Sequence, residues 1–153
     1  MLGMRSDEWR RNAAPTRRLK VLVADDNRDA MSALVALLQD EGHEALGVHR
    51  STDVLGVERD FRPDVVILDL QMPEISGYDL ARWLRSRHPW PWRCPLLIAV
   101  SGAFTRPSDA QFSRAAGFHY YLAKPYHVGE LLPLIAWPVL RLVRAQDARS
   151  SSR

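Results

Sequence analysis

Short apolar runs alternate with helical stripes along the chain, and the alternation begins abruptly at Leu19. Leu19–Ala24 is an aliphatic, β-branched run closed by Asp25-Asp26-Asn27, the pattern of a buried strand that ends in a loop. Asp29–Asp40 spaces Met31, Leu34, Val35, Leu37 and Leu38 as one helical face, and Gly42 is placed to stop it. The alternation continues with a weak strand over His43–Val48, a helix over Thr52–Phe61, and Val65–Leu70, apolar enough to be covered on both faces. Pro73 and Gly77 punctuate a loop before a helix over Tyr78–Arg87, and a Pro- and Trp-rich loop, His88–Cys94, leads to a strand over Leu96–Ser101. A helix over Ser108–Ala116 closed by Gly117, a fifth strand over Phe118–Leu122 and a last helix over Val128–Val143 complete the series. Five strands alternating with five helices predict an α/β fold built on a parallel sheet.

Composition adds little except through its distribution. The 153 residues carry a net charge of +3, which by itself suggests a nucleic-acid binder. Residues 1–18, however, hold five arginines against Asp7 and Glu8, and residues 146–153 hold Arg149 and Arg153 against Asp147. Between them, residues 19–145 are one charge negative. The expected organisation is a flexible basic leader (1–18), one folded domain (19–145) and a flexible tail (146–153), with no nucleic-acid partner. The lone Cys94 provides no disulfide framework and, with five histidines at no ligand spacing, no soft-metal site. No signal-peptide stretch opens the chain. Leu131–Val143, interrupted by Pro133, Pro138 and Arg141, falls short of the ~20 apolar residues of a membrane helix. A cytoplasmic protein without membrane contact is expected.

A parallel sheet gathers the carboxyl ends of its strands at a crevice where ligands bind. The polar residues there are Asp25 and Asp26 after the first strand, Asp69 ending the third, Ser101 ending the fourth and Lys124 after the fifth. Three carboxylates in one crevice raise each other's pKa unless a cation joins them, and a hard divalent ion such as Mg²⁺ suits oxygen donors. With the ion present, a carboxylate can attack a phosphoryl group to form an acyl phosphate. A lysine and a hydroxyl can neutralise the transferred oxygens. These parts compose an aspartyl-phosphate site.

The segments VLVADDN, VVILDLQMPEISGYDLA, LLIAVSG and GFHYYLAKP, in this order and spacing, resemble the motifs of the response-regulator receiver domain of two-component signalling, over Leu19 to about Leu142. The resemblance implies a flavodoxin-like sheet of strand order 2-1-3-4-5 with helices on both faces. It also implies Asp69 as phosphoacceptor, Asp25 and Asp26 as the acidic pair with Asp26 the direct Mg²⁺ ligand, and the Gln71 backbone carbonyl as a further ligand. Ser101 would be the switch hydroxyl, Tyr121 the switch aromatic, Lys124 the phosphoryl-binding lysine, and the peptide before Pro125 cis. The implied partners are a sensor histidine kinase or histidine phosphotransfer protein and a downstream protein that docks on the face of the fourth helix, fifth strand and fifth helix. A homodimer is also compatible with the resemblance. Receivers assist their own phosphorylation rather than turn over external substrates, so no enzyme is expected. With only about ten residues after Val143, too few for an output domain, a stand-alone receiver is expected.

Some features depart from the family pattern. Trp90 and Trp92 make the loop before the fourth strand bulky, and Pro133 and Pro138 fall in the last helix, where each removes a donor and crowds the preceding turn. That helix is expected to kink or begin late, which keeps open a second reading, a receiver-fold scaffold that binds partners without phosphorylation. A haloacid-dehalogenase-type phosphohydrolase needs a second Asp two residues after the nucleophile, where this chain has Gln71. Gln71 and Ala103 occupy positions that tune dephosphorylation in the family, and GFHYYLAKP also resembles the receiver modules of hybrid kinases.

Overall fold

The computed structural model describes residues 17–88, 94–102 and 107–136. Trp90, Trp92, Ala103, Pro138, the expected tail and nearly all of the expected leader lie outside the described residues. The chain divides into two units, one of them Arg18–Pro125 and the other containing Tyr126 onward.

In the first unit the elements follow as β1 (Lys20–Ala24), α1 (Arg28–Asp40), β2 (Glu44–Val48), α2 (Val54–Phe61), β3 (Val65–Asp69), α3 (Gly77–Arg87), β4 (Leu96–Ser101), α4 (Pro107–Ala116) and β5 (Tyr120–Ala123). All strand pairs are parallel and the order is β2-β1-β3-β4-β5, the expected α/β architecture. Every residue of β3 and β4 is buried, as continuous apolar runs require when helices cover both faces of a sheet. Leu22, Val66, Leu68, Leu97 and Ala99 pack on one face with Val54 and Phe61 of α2 and Leu80 and Leu84 of α3. On the other face α1 comes so close to β2 that a Cβ at Gly47 would strike the Met31 side chain.

The ends of the helices explain where the boundaries differ from the sequence reading. Gly117, at φ +107°, donates to Arg114 O, and the Phe118 N–H donates to Ser113 O, a Schellman closure of α4. Phe118 therefore belongs to the helix stop, although its buried side chain resembles a strand residue, and β5 starts two residues later than expected. Gly42 and His43 close α1 through Gln39 O and Leu38 O in the same manner. The expected helix over Thr52–Phe61 opens as a separate 3₁₀ turn, Ser51–Asp53, before α2 proper.

Of the second unit, residues 128–136 form a helix, α5. Glu130 caps it by accepting the His127 N–H through its side chain at 2.8 Å. Leu131, Leu132 and Ile135 are buried and Pro133 lies inside the helix. It starts at residue 128, so the late start the prolines suggested is not found.

Candidate functional site

The strand order brings the ends of β1, β3 and β4 and the residue after β5 to one edge of the sheet. Asp25 follows β1, its N–H donating to Val48 O at 3.1 Å, and its Oδ1 accepts the Asn27 N–H at 2.9 Å. Asn27 in turn caps α1 by accepting the Ala30 N–H. The acidic turn is thus fixed from both sides, with Asp25 buried and Asp26 exposed. Asp69 ends β3 with its side chain almost wholly covered, and its Oδ1 accepts the Gln71 N–H at 3.0 Å.

Carboxylate oxygens of Asp25, Asp26 and Asp69 lie within 4.8 Å of one another. The Lys124 ammonium donates to Asp25 Oδ2 at 2.8 Å and stands 3.4 Å from Asp69 Oδ2. Its backbone N–H donates to Ser101 O, which ties the end of β4 to the residue after β5, and the Lys124–Pro125 peptide is cis. Burial pushes the Asp69 carboxyl above its ordinary value; the Gln71 N–H and the Lys124 charge oppose that, and Asp25 adds to it. For Lys124, burial works against the ammonium, yet the Asp25 and Asp69 carboxylates outweigh it and hold the lysine above its ordinary value. Three carboxylates and one ammonium leave this pocket two charges negative when all are ionised. A hard divalent cation with oxygen ligands relieves that imbalance, so the donor set fits Mg²⁺.

The remaining candidates surround this cluster. Ser101 is buried at the end of β4, and Gly102 after it leaves the approach open, since a Cβ there would meet nothing nearer than Lys124 Cβ at 4.0 Å. Gln71 is exposed and its N–H is committed to Asp69. Tyr121 lies half-buried on β5 against the core. Burial, then the charges of Asp109 and Tyr78, raise its phenol's pKa. Sequence reasoning missed Ser51, whose hydroxyl bonds the loop between β3 and α3. A serine three residues beyond a weak strand carries no signal that its partners lie 22 and 24 residues away.

Among the described residues no helix is long and apolar enough to cross a membrane. Residues 21–136 match the family model of the response regulator receiver domain. The polar-differentiation response regulator DivK of Brucella anthropi is 30% identical over 115 residues, which cover 75% of this chain and 91% of that protein. Among solved structures, the Vibrio cholerae chemotaxis protein CheY4 superposes with a TM-score of 0.70 at 25% identity, over 82% of this chain and 99% of that one. A response regulator receiver domain protein from Clostridium thermocellum gives a TM-score of 0.70 at 27% identity, over 84% and 97% of the two chains. Sheet order, acidic edge and similarity agree, and the chain belongs to the response-regulator receiver family of two-component signalling.

Proposed function

We propose that the chain acts as a phosphoacceptor: a receiver over residues 19–145, flanked by a leader (1–18) and a tail (146–153), that takes a phosphoryl group onto Asp69 from a phosphohistidine of a sensor kinase or phosphotransfer protein. The observation that carries this reading is the Lys124 ammonium set between Asp25 and Asp69 in a cluster of three carboxylates. Asp25, Asp26, Asp69 and the Gln71 carbonyl would hold Mg²⁺, which when bound screens the carboxylates from the incoming phosphoryl oxygens.

An Asp69 carboxylate oxygen attacks phosphorus in line as the P–N bond to the partner's imidazole breaks. The leaving nitrogen keeps the bonding pair, the other ring nitrogen keeps its proton so that the partner's histidine departs as neutral imidazole, and the product is an acyl phosphate. Lys124 compensates charge on the transferred oxygens, and the Gln71 N–H keeps the carboxylate oriented. Ser101 then turns its hydroxyl to the new phosphoryl oxygen, and Tyr121 moves into the space vacated. This population shift is biased by the phosphoryl group's contacts and read by a cytoplasmic protein partner on the face that includes α4 and β5.

Incubation with Mg²⁺ and acetyl phosphate should add one hydroxylamine-sensitive phosphoryl group per chain, lost in Asp69→Asn and on chelation of Mg²⁺. No phosphate at Asp69 from either acetyl phosphate or a phosphorylated histidine donor would overturn this reading. Partner binding that is unchanged in Asp69→Asn would then favour the phosphorylation-independent scaffold.

A further inference from the structure

We propose that Ser51 is a positioning residue for the phosphoacceptor site, clamping the loop between β3 and α3 so that its backbone is held against Asp69. Ser51 sits in the turn between β2 and α2 and is 2% exposed. Its Oγ donates to Pro73 O at 2.6 Å and accepts the Ile75 N–H at 3.0 Å, so one hydroxyl spans two peptide groups of the loop. Arg50 reaches Glu74, the residue between them, at 3.6 Å.

The loop needs such a clamp. Glu74 adopts φ +74°, a left-handed conformation that a side chain with a Cβ disfavours. The same loop begins at the phosphoacceptor. Gln71 N–H donates to Asp69 Oδ1, the Gly77 N–H donates to Leu70 O at 3.3 Å, and a Cβ at Gly77 would lie 2.8 Å from Asp69 O. The loop is therefore bonded to Asp69 at its start and to the neighbouring Leu70 at its end, and to Ser51 at its middle. Without the Ser51 hydroxyl the bend at Glu74 keeps its internal bond, the Ile75 N–H to Pro73 O at 3.0 Å, but loses its tie to the turn between β2 and α2, and the backbone on either side of Gln71 gains freedom to leave Asp69.

The inference rests on the Mg²⁺-dependent reading of the site, and its test separates the two. Mg²⁺ affinity by calorimetry and amide exchange in the ion-free protein are compared for wild type, Ser51→Ala and Ser113→Ala. Ser113, buried on α4, controls for the loss of a buried hydroxyl as such. Ser51→Ala should weaken Mg²⁺ binding about three- to tenfold, the range set by one net hydrogen bond, and speed exchange of the Ile75 amide, left with only its bond to Pro73 O, while β3 amides stay protected. Ser113→Ala should lower stability but leave both readouts unchanged. In the wild type, Mg²⁺ should also slow exchange at Ile75, a measurement that stands even if Ser51→Ala fails to fold. Wild type that binds no Mg²⁺ overturns the reading of the whole site. Wild type that binds while Ser51→Ala binds equally well, or Mg²⁺ that leaves Ile75 exchange untouched, overturns the role of Ser51 alone.

Discussion

Asp69 is held in conflict with its surroundings. Its carboxyl is buried beside Asp25, and burial shifts it toward the protonated form even though Gln71 and Lys124 pull the other way. A carboxyl whose pKa is higher in the folded chain than in the unfolded one destabilises the fold when ionised. Replacing it by the neutral, nearly isosteric Asn should therefore stabilise the ion-free protein. We expect Asp69→Asn to gain on the order of 1 kcal/mol, roughly 3 °C in melting temperature for a chain of this size. Mg²⁺ should reverse the ranking, because an ion that binds only the folded wild type adds stability as its concentration exceeds the dissociation constant. Melting curves of both proteins with and without Mg²⁺ check this, and an Asp69→Asn variant less stable than wild type in the absence of the ion would contradict it. The acidic residues and Lys124 were legible in the sequence because charged residues at strand ends stand out against apolar runs. Ser51 was not, since its partners are backbone groups that only the folded loop brings near.

Three glycines show how local packing sets the tolerance of each element. At Gly77, the first residue of α3, a Cβ would lie 2.8 Å from Asp69 O, Leu70 Cα and Leu70 Cδ2, two of them backbone atoms that cannot swing away. At Gly47 on β2 the obstacles are Met31 Sδ and Cγ and Val35 Cγ2, side-chain atoms of which methionine's can rotate. Gly56 on α2 has nothing within 4 Å. Gly77→Ala should therefore cost about 1–3 kcal/mol as an overpacked substitution, Gly47→Ala less, and Gly56→Ala should stabilise by about 0.5–1 kcal/mol through helix propensity. Denaturant titration of the three variants gives the order directly. The elements themselves were readable where the pattern was dense: β3 and β4 are continuous apolar runs and sit where the sequence put them. β5 moved because the Gly117 closure of α4 takes the Phe118 N–H, and the first turn of the expected second helix became 3₁₀ where Ser51 turns to the neighbouring loop.

Across the whole sheet, the two edges are built from opposite protonation chemistry. The carboxyl edge holds Asp25, Asp69 and Lys124. At the amino edge, the Leu19 N–H donates to His43 Nδ1 at 3.3 Å and the Leu97 N–H to His119 Nδ1 at 3.0 Å, each ring tying the approach to one strand to a neighbouring one. An amide can only donate, so both Nδ1 atoms must be unprotonated. Desolvation lowers the pKa of both rings from 6.5, opposed at His43 by Glu41 and reinforced at His119 by the Arg85 charge. A histidine with a depressed pKa binds fewer protons folded than unfolded, so its contribution is complete above the ordinary value and is lost as pH falls through it. Melting temperature should therefore drop by a few degrees between pH 7.5 and pH 5.5, modestly because His119 is exposed outside its Nδ1 contact. In His119→Asn, whose amide oxygen can accept the Leu97 N–H without titrating, that drop should be smaller than in wild type. An equal drop in wild type and His119→Asn would show that the acid sensitivity of the molecule does not arise at the amino edge of its sheet.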